Sequence, residues 1–253
     1  MFFIEFKKRE KQMADEIFEN SRLVAIYDCF DGDRRDLEHY VSIVKELKAK
    51  SVIDVGCGTG CFAVRLAVEG IQVTAVDPAR ESIELARRKP NASKVRWILG
   101  DTAQLSGISA DLVVMTGNVA QVFVSDESWE ETLKTFREVL TPQGHFVFEV
   151  RNPSMKAWLS WTREKTFKRV DVPNIGSVEA WCEVTNVSED LVSFRWTYVF
   201  ASGQETITSD STLRFRSRDE IERSLETAGY KIVDVRDAPD RPGLEFVFIA
   251  SRA

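Results

Sequence analysis

VIDVGCGTG, residues 52–60, carries an apolar run straight into a turn with glycines at 56, 58 and 60. An amphipathic segment follows at once. Glycine suits such a turn because it adopts positive φ freely and lets a ligand approach the backbone closely. The helix that follows offers free N–H groups and a positive dipole end. In open α/β sheets this carboxyl edge is where ligands bind. A dinucleotide site reads G-x-G-x-x-G. Here Gly56 and Gly58 fit that pattern, but Cys61 occupies the last position and the third glycine comes one residue early, at Gly60. Asp54, two residues before the first glycine, would repel a pyrophosphate. It suits a ligand with an ammonium group and no phosphate.

Outward from this turn, β-branched runs alternate with amphipathic stretches. The pattern predicts strands at Ser51–Val55, Gln72–Val76, Val95–Leu99, Leu112–Met115 and His145–Val150, the last behind the turn Thr-Pro-Gln-Gly. Helices are predicted at Cys61–Glu69, Ala79–Arg88 and Trp129–Leu140. Upstream, residues 10–24 and 36–48 read as helices joined by an acidic linker, YDCFDGDRRD, and Leu37, Val41, Val44 and Leu47 form one apolar stripe. Strands alternating with helices of this length imply a doubly wound α/β fold: a mostly parallel sheet, right-handed crossovers and helices on both faces.

After Arg151 the rhythm changes. VEAWCEVTNV, LVSFRWTYVF and ETITSDSTLRF follow one another without long helices, with hairpin turns at Ser188–Asp190 and Ser202–Gly203. They predict a small antiparallel sheet inserted into the α/β domain. Helix returns at Arg218–Ala228, Gly229 serves as its stop, and strands follow at Tyr230–Val235 and Phe246–Ala250. The resulting division is an N-terminal helical cap (1–50), an α/β domain (51–151 and 216–253) and an antiparallel insertion (152–215).

The 253-residue chain has a formal charge of −6, against the basic footprint of a nucleic-acid binder. No apolar run has the ~18 residues of a membrane span, and the stretch Met1–Phe6 is far short of a signal segment. The four cysteines are too few and scattered for a disulfide framework. Cys57 and Cys61 lack a second Cys/His pair to complete a metal site. These features point to a reduced, cytoplasmic protein without metal, nucleic-acid or membrane partners, as monomer or homodimer.

The glycine turn resembles the first motif of class I S-adenosylmethionine-dependent methyltransferases, and three further motifs follow in order. VTAVDPA ends the second strand with Asp77, which the resemblance assigns to both ribose hydroxyls of the donor. LGDTAQL follows the third strand and sets Asp101, with Thr102 beside it, near the adenine amino group. DLVVMTGNVAQVF supplies the fourth strand and the loop under the methyl donor. The resemblance covers roughly residues 22–151 and 213–250. It implies a seven-stranded sheet with an antiparallel last strand, and S-adenosylmethionine as cofactor with S-adenosylhomocysteine as product. The implied cofactor residues are Tyr27, Asp54, Gly56, Cys57, Gly58, Gly60, Asp77, Pro78, Asp101, Thr102, Thr116, Gly117 and Asn118.

Methyl transfer from a sulfonium needs chiefly positioning, so no catalytic residue stands out. Thr116-Gly117-Asn118-Val119 replaces the Asn/Asp-Pro-Pro-aromatic tetrapeptide of enzymes acting on DNA bases or side-chain amides. Thr116 also stands where catechol-type enzymes carry a metal-ligating Asp. The insertion after the fifth strand resembles the lid of small-molecule branches, which implies a small acceptor methylated on nitrogen or oxygen. Candidate acceptor residues are Tyr40, Gln121, Arg151, Asn152 and Trp181. Packing within the insertion is the simpler reading of Phe194 and Trp196. His39 is a candidate base, and the run Asp28, Asp31, Asp33 and Asp36 suits either solvent or a cationic acceptor. Rival readings are a non-catalytic binder of the donor or its product, and a nicotinamide-dependent oxidoreductase.

Overall fold

The computed structural model describes residues 14–201 and 205–253. Helices α1 (Glu16–Glu19), α2 (Ser21–Asp31) and α3 (Leu37–Glu46) lead into β1 (Ser51–Val55), α4 (Cys61–Val68), β2 (Gln72–Asp77), α5 (Arg80–Arg88), β3 (Val95–Leu99), β4 (Ala110–Met115), α6 (Asp126–Val139) and β5 (Leu140–Arg151). A short helix α7 (Arg163–Thr166) opens the insertion, whose strands are β6 (Lys168–Val172), β7 (Gly176–Ser188), β8 (Leu191–Phe200) and β9 (Glu205–Arg214). Helix α8 (Arg218–Thr227) and strands β10 (Tyr230–Asp237) and β11 (Glu245–Arg252) close the chain.

The main sheet has seven strands in the order β10-β11-β5-β4-β1-β2-β3. β11 runs antiparallel to both its neighbours, and the pairs from β5 to β3 are parallel. The expected doubly wound sheet with an antiparallel last strand is therefore what the chain forms. Each strand feeds both faces by its two-residue period. Ile53, Val113, Phe146 and Phe148 join Trp129, Leu133, Phe136, Ile221 and Leu225 on the face of α6 and α8. Val52, Leu112, Val114, Val147 and Val247 join Tyr40, Val44, Phe62 and Leu66 on the face of α3 and α4.

The insertion is a four-stranded antiparallel sheet, β6-β7-β8-β9. Its inner residues Val178, Ala180, Tyr198 and Phe200 pack on Ile17, Leu23 and Ile26 of α1 and α2. β6 escapes a reading by alternation because four of its five residues are exposed or half-exposed on an edge. The Ser202–Gly203 turn lies outside the described residues.

Three boundaries differ from the sequence pattern. The predicted helix 10–24 is two helices, broken where the Asn20 side chain accepts a hydrogen bond from Arg22 N and caps α2; residues 10–13 lie outside the described region. The acidic linker begins later than expected, since residues 27–31 stay helical until Gly32 turns the chain at φ +67. Contacts of Tyr27 and Phe30 with the insertion's core hold that turn in place. Finally, β5 starts at Leu140, opposite Ala110, and the Thr-Pro-Gln-Gly segment is a ladder irregularity within the strand.

Candidate active site

The glycine turn crosses from β1 toward α4 at the carboxyl edge of the sheet. Gly56 N and Cys57 N donate to Val76 O at 2.9 and 3.3 Å, tying the turn to β2. Asp77, at the end of β2, accepts Gly58 N on one oxygen and Ala79 N on the other, each at 2.8 Å. The glycines answer different demands. A Cβ on Gly56 would lie 2.6 Å from Val119, and one on Gly60 would lie 2.4 Å from Trp97. A Cβ on Gly58 would meet nothing within 4 Å, so there the backbone faces open space.

Asp54 lies beneath this turn, 1% exposed. Its Oδ2 has no hydrogen-bond partner among the described residues. Burial, reinforced by the charge of Asp77, pushes its carboxyl up to about 7. A buried, half-satisfied carboxylate is costly unless a cation or donor reaches it. Burial also raises Asp77, and its two backbone bonds oppose that rise. Each Asp77 oxygen keeps a lone pair for a further donor. This set fits a ligand bringing an ammonium and hydroxyl groups, and disfavours a phosphate. Cys57 adds no thiolate, because burial raises its thiol well above the usual range.

Of the remaining donor-side residues, Pro78 and Asp101 are exposed and Thr102 half-buried. Asp101 Oδ1 accepts Ala103 N at 2.9 Å, capping a short 3-10 helix over Thr102–Leu105. Thr116 is half-buried and Gly117 exposed, whereas Asn118 is buried in a left-handed conformation at φ +63. One residue that the sequence reading passed over sets this loop. Glu149 Oε1 accepts Gly117 N at 2.6 Å and Asn118 N at 3.0 Å, and Oε2 accepts the Tyr40 hydroxyl. Burial, followed by the nearby Glu245, pushes Glu149 up to about 7. Its readable sign was a single acid inside the apolar strand FVFEV. Asn118 Nδ2 donates to Glu245 Oε1 at 3.0 Å and leaves its own Oδ1 without a partner.

Helix α2 is fastened to the same turn. Thr59 Oγ1 donates to Asp28 Oδ1 at 2.6 Å, and Lys89 Nζ lies 2.6 Å from Asp28 Oδ2. Tyr27, half-buried beside Phe18 at 5.6 Å, precedes Asp28 into that junction, and burial raises its phenol. The acids of the run each have a basic partner, Asp31 and Asp36 sharing Arg34 and Asp33 pairing with Arg35.

The acceptor candidates separate. Gln121 (1% exposed) and Arg151 meet: Gln121 Oε1 accepts Arg151 Nη1 at 2.9 Å. Tyr40 is 4% exposed and its hydroxyl is committed to Glu149, which sets it under the loop and not at an acceptor surface. Asn152 caps a short helix through Ser154 N at 3.1 Å. Trp181 does not join them. It alternates with the inward Ala180 and Cys182, carries Arg163 over its ring at 4.2 Å and donates to Glu183, so it belongs to the outer face of the insertion. His39 is lowered by burial and its Nε2 lacks a partner. Phe194 and Trp196 pack within the insertion, as their simpler reading has it. No group of three His, Cys, Asp or Glu that could hold a metal occurs among the described residues, and no helix there is long and apolar enough to cross a membrane.

Comparison with known proteins follows the same line. A family model described as a methyltransferase domain matches residues 52–144. Residues 52–144 thus carry a methyltransferase domain. Family, enzyme class and methyl donor thus agree with the four motifs. A Bacillus subtilis (strain 168) protein assigned as a methyltransferase, YqeM, is 25% identical over 72% of this chain and 73% of its own length. The chain spans about half the length of the other curated relatives it matches. Among solved structures, an S-adenosylmethionine-dependent methyltransferase from Clostridium acetobutylicum superposes with a TM-score of 0.75 at 17% identity, covering 92% of this chain and 99% of that one. The sugar N-methyltransferase KedS8 from a Streptoalloteichus species superposes at 0.74 and 16% identity, covering 100% and 99%. At these identities the likeness is one of fold.

Proposed function

We propose that this methyltransferase transfers the methyl group of S-adenosylmethionine to a nitrogen or oxygen of a small molecule. The carrying observation is where the insertion sits. It interrupts the chain between β5 and α8, packs on α2, and α2 is bound to the glycine turn through Asp28 and Thr59. On the other side Gln121 Nε2 donates to Arg214 O of β9 at 3.2 Å, joining the insertion to the loop after β4. Residues 152–215 thereby act as a lid over the donor edge, with 1–50 as the cap and the remainder as the donor-binding domain. A sugar N-methyltransferase among the structural neighbours supports a small acceptor.

The donor brings an activated methyl group, so the protein's share is to hold, align and desolvate. Asp54 would meet the ammonium, Asp77 the ribose hydroxyls, Gly58 the open side of the turn, and Gly117 and Asn118 the reacting end. Tyr27, Pro78, Asp101 and Thr102 complete the surround. The free cysteines suit a cytoplasmic small-molecule enzyme. Calorimetric titration with S-adenosylmethionine tests the reading. Wild-type protein should bind saturably, and Asp77→Ala should weaken binding about tenfold or more, about 1.4 kcal/mol. Release of S-adenosylhomocysteine with a pool of small amines and alcohols then distinguishes an enzyme from a binder. A folded protein that binds no donor would sink the proposal.

A further inference from the structure

Arg151, half-buried, ends β5 where the main sheet gives way to the insertion. Four other partly buried arginines, Arg34, Arg214, Arg216 and Arg241, each have a carboxylate within 3.5 Å. Arg151 has none among the described residues. Its guanidinium makes one hydrogen bond there, from Nη1 to Gln121 Oε1 at 2.9 Å, and stands 5.5 Å from the centre of the Trp161 ring. Desolvation dominates and lowers its pKa.

The missing ion pair is not for want of acids. Glu245 is directly opposite Arg151 in the β5–β11 ladder. Its Oε1 instead receives Arg241 Nη1 at 2.6 Å and Asn118 Nδ2 at 3.0 Å. Glu149, two residues back on the same strand, is taken by two backbone amides and Tyr40. Arg241 thus forms the ion pair with Glu245 and leaves Arg151 its Nε and Nη2 donors, with Glu245 and Glu149 acting on it only as nearby charges. Gln121 fixes the fork: it is 1% exposed, and its Nε2 is anchored on Arg214 O at 3.2 Å. A planar fork steadied at one nitrogen, with no carboxylate in contact among the described residues, is the arrangement that binds one bidentately.

Resting on the methyltransferase reading, we infer that the methyl acceptor carries a carboxylate, and that the free edge of Arg151 binds it as the specificity-determining contact. Trp161, packed on Phe194 at 4.8 Å, and Trp158, packed on Phe215 at 4.6 Å, wall the same junction with apolar surface. The acceptor is therefore an acid with a hydrophobic portion, methylated at a nitrogen or oxygen away from the carboxylate.

The full chain loaded with S-adenosylhomocysteine is titrated with propionate and with propionamide, its neutral counterpart, following tryptophan fluorescence. Trp161 lies close enough to report on the charge beside it. Propionate should bind saturably and propionamide about tenfold more weakly or worse, a difference of about 1.4 kcal/mol. Arg151→Gln should bring propionate down to the level of propionamide while S-adenosylhomocysteine affinity stays within about twofold. If Arg151→Gln does not fold, Arg151→Lys, which keeps the charge and loses the fork, should still weaken propionate about fivefold. Equal binding of acid and amide, no propionate binding, or wild-type propionate affinity in the variant would overturn the inference and leave the donor site intact. No S-adenosylhomocysteine binding by folded wild-type protein would overturn the methyltransferase reading, and this inference with it.

Discussion

Gly58 and Gly60 are two residues apart, and both have positive φ, +51 and +78. Their neighbours separate them. Gly60→Ala would drive a Cβ to 2.4 Å from Trp97 and 2.9 Å from Ala86, so it should cost about 2–4 kcal/mol from overpacking and left-handed strain. Gly58→Ala carries only the strain, about 1–2 kcal/mol, but it places a methyl in the open space on the ligand side. Thermal denaturation should rank Gly60→Ala as the less stable variant. Donor titration should show Gly58→Ala losing more affinity than its stability loss explains. A Gly58→Ala protein with wild-type affinity would remove that glycine from the donor site. The glycine positions were readable from the sequence; which of them answers to packing and which to a ligand was not, because Trp97 and Val119 reach the turn from other elements.

Strand β5 is the element on which the site's electrostatics hang. Its apolar residues are core, and its Glu149 is the acceptor that shapes the loop at Gly117 and Asn118. Burial raises the Glu149 carboxyl to about 7 from an ordinary 4.5. Between those values the folded state holds a proton that the unfolded state has lost, so stability falls as pH rises through that window. Glu149→Gln should keep the amide contacts through its carbonyl oxygen and flatten this fall in melting temperature, leaving a residual slope from Asp54, which is raised in the same sense. Glu149→Ala should destabilise at all pH values, by about 1–3 kcal/mol, through orphaned amide donors. An unchanged pH slope in Glu149→Gln would show that the group titrates elsewhere. The same strand marks a limit of sequence reading: its first residues read as a turn because Thr-Pro-Gln-Gly has turn chemistry, yet pairing of Leu140 with Ala110 draws them into the ladder.

Over the whole molecule, the inserted sheet packs on α1 and α2 in a core of its own, apart from the two cores of the main sheet. Leu23 (1% exposed) and Ile26 (0%) lie in that seat with Val178, Ala180 and Phe200. Leu23→Ala should cost about 2–5 kcal/mol. Hydrogen exchange should quicken in β6–β9 and α2 while β1, β4 and β5 keep their protection, a pattern expected when stability divides along cooperative units. Uniform loss of protection would mean that lid and sheet unfold as one. The sequence by itself determined the doubly wound sheet, the antiparallel insertion and the glycine turn after β1, since period-two and helical patterns and glycine spacing are local signals. Only the tertiary structure decided that Tyr40 serves Glu149, that Trp181 faces outward, that α2 runs through its acids, and that Arg151 has no ion pair among the described residues. Each of these depends on which distant residue arrives first at a shared partner, and no local pattern records that competition.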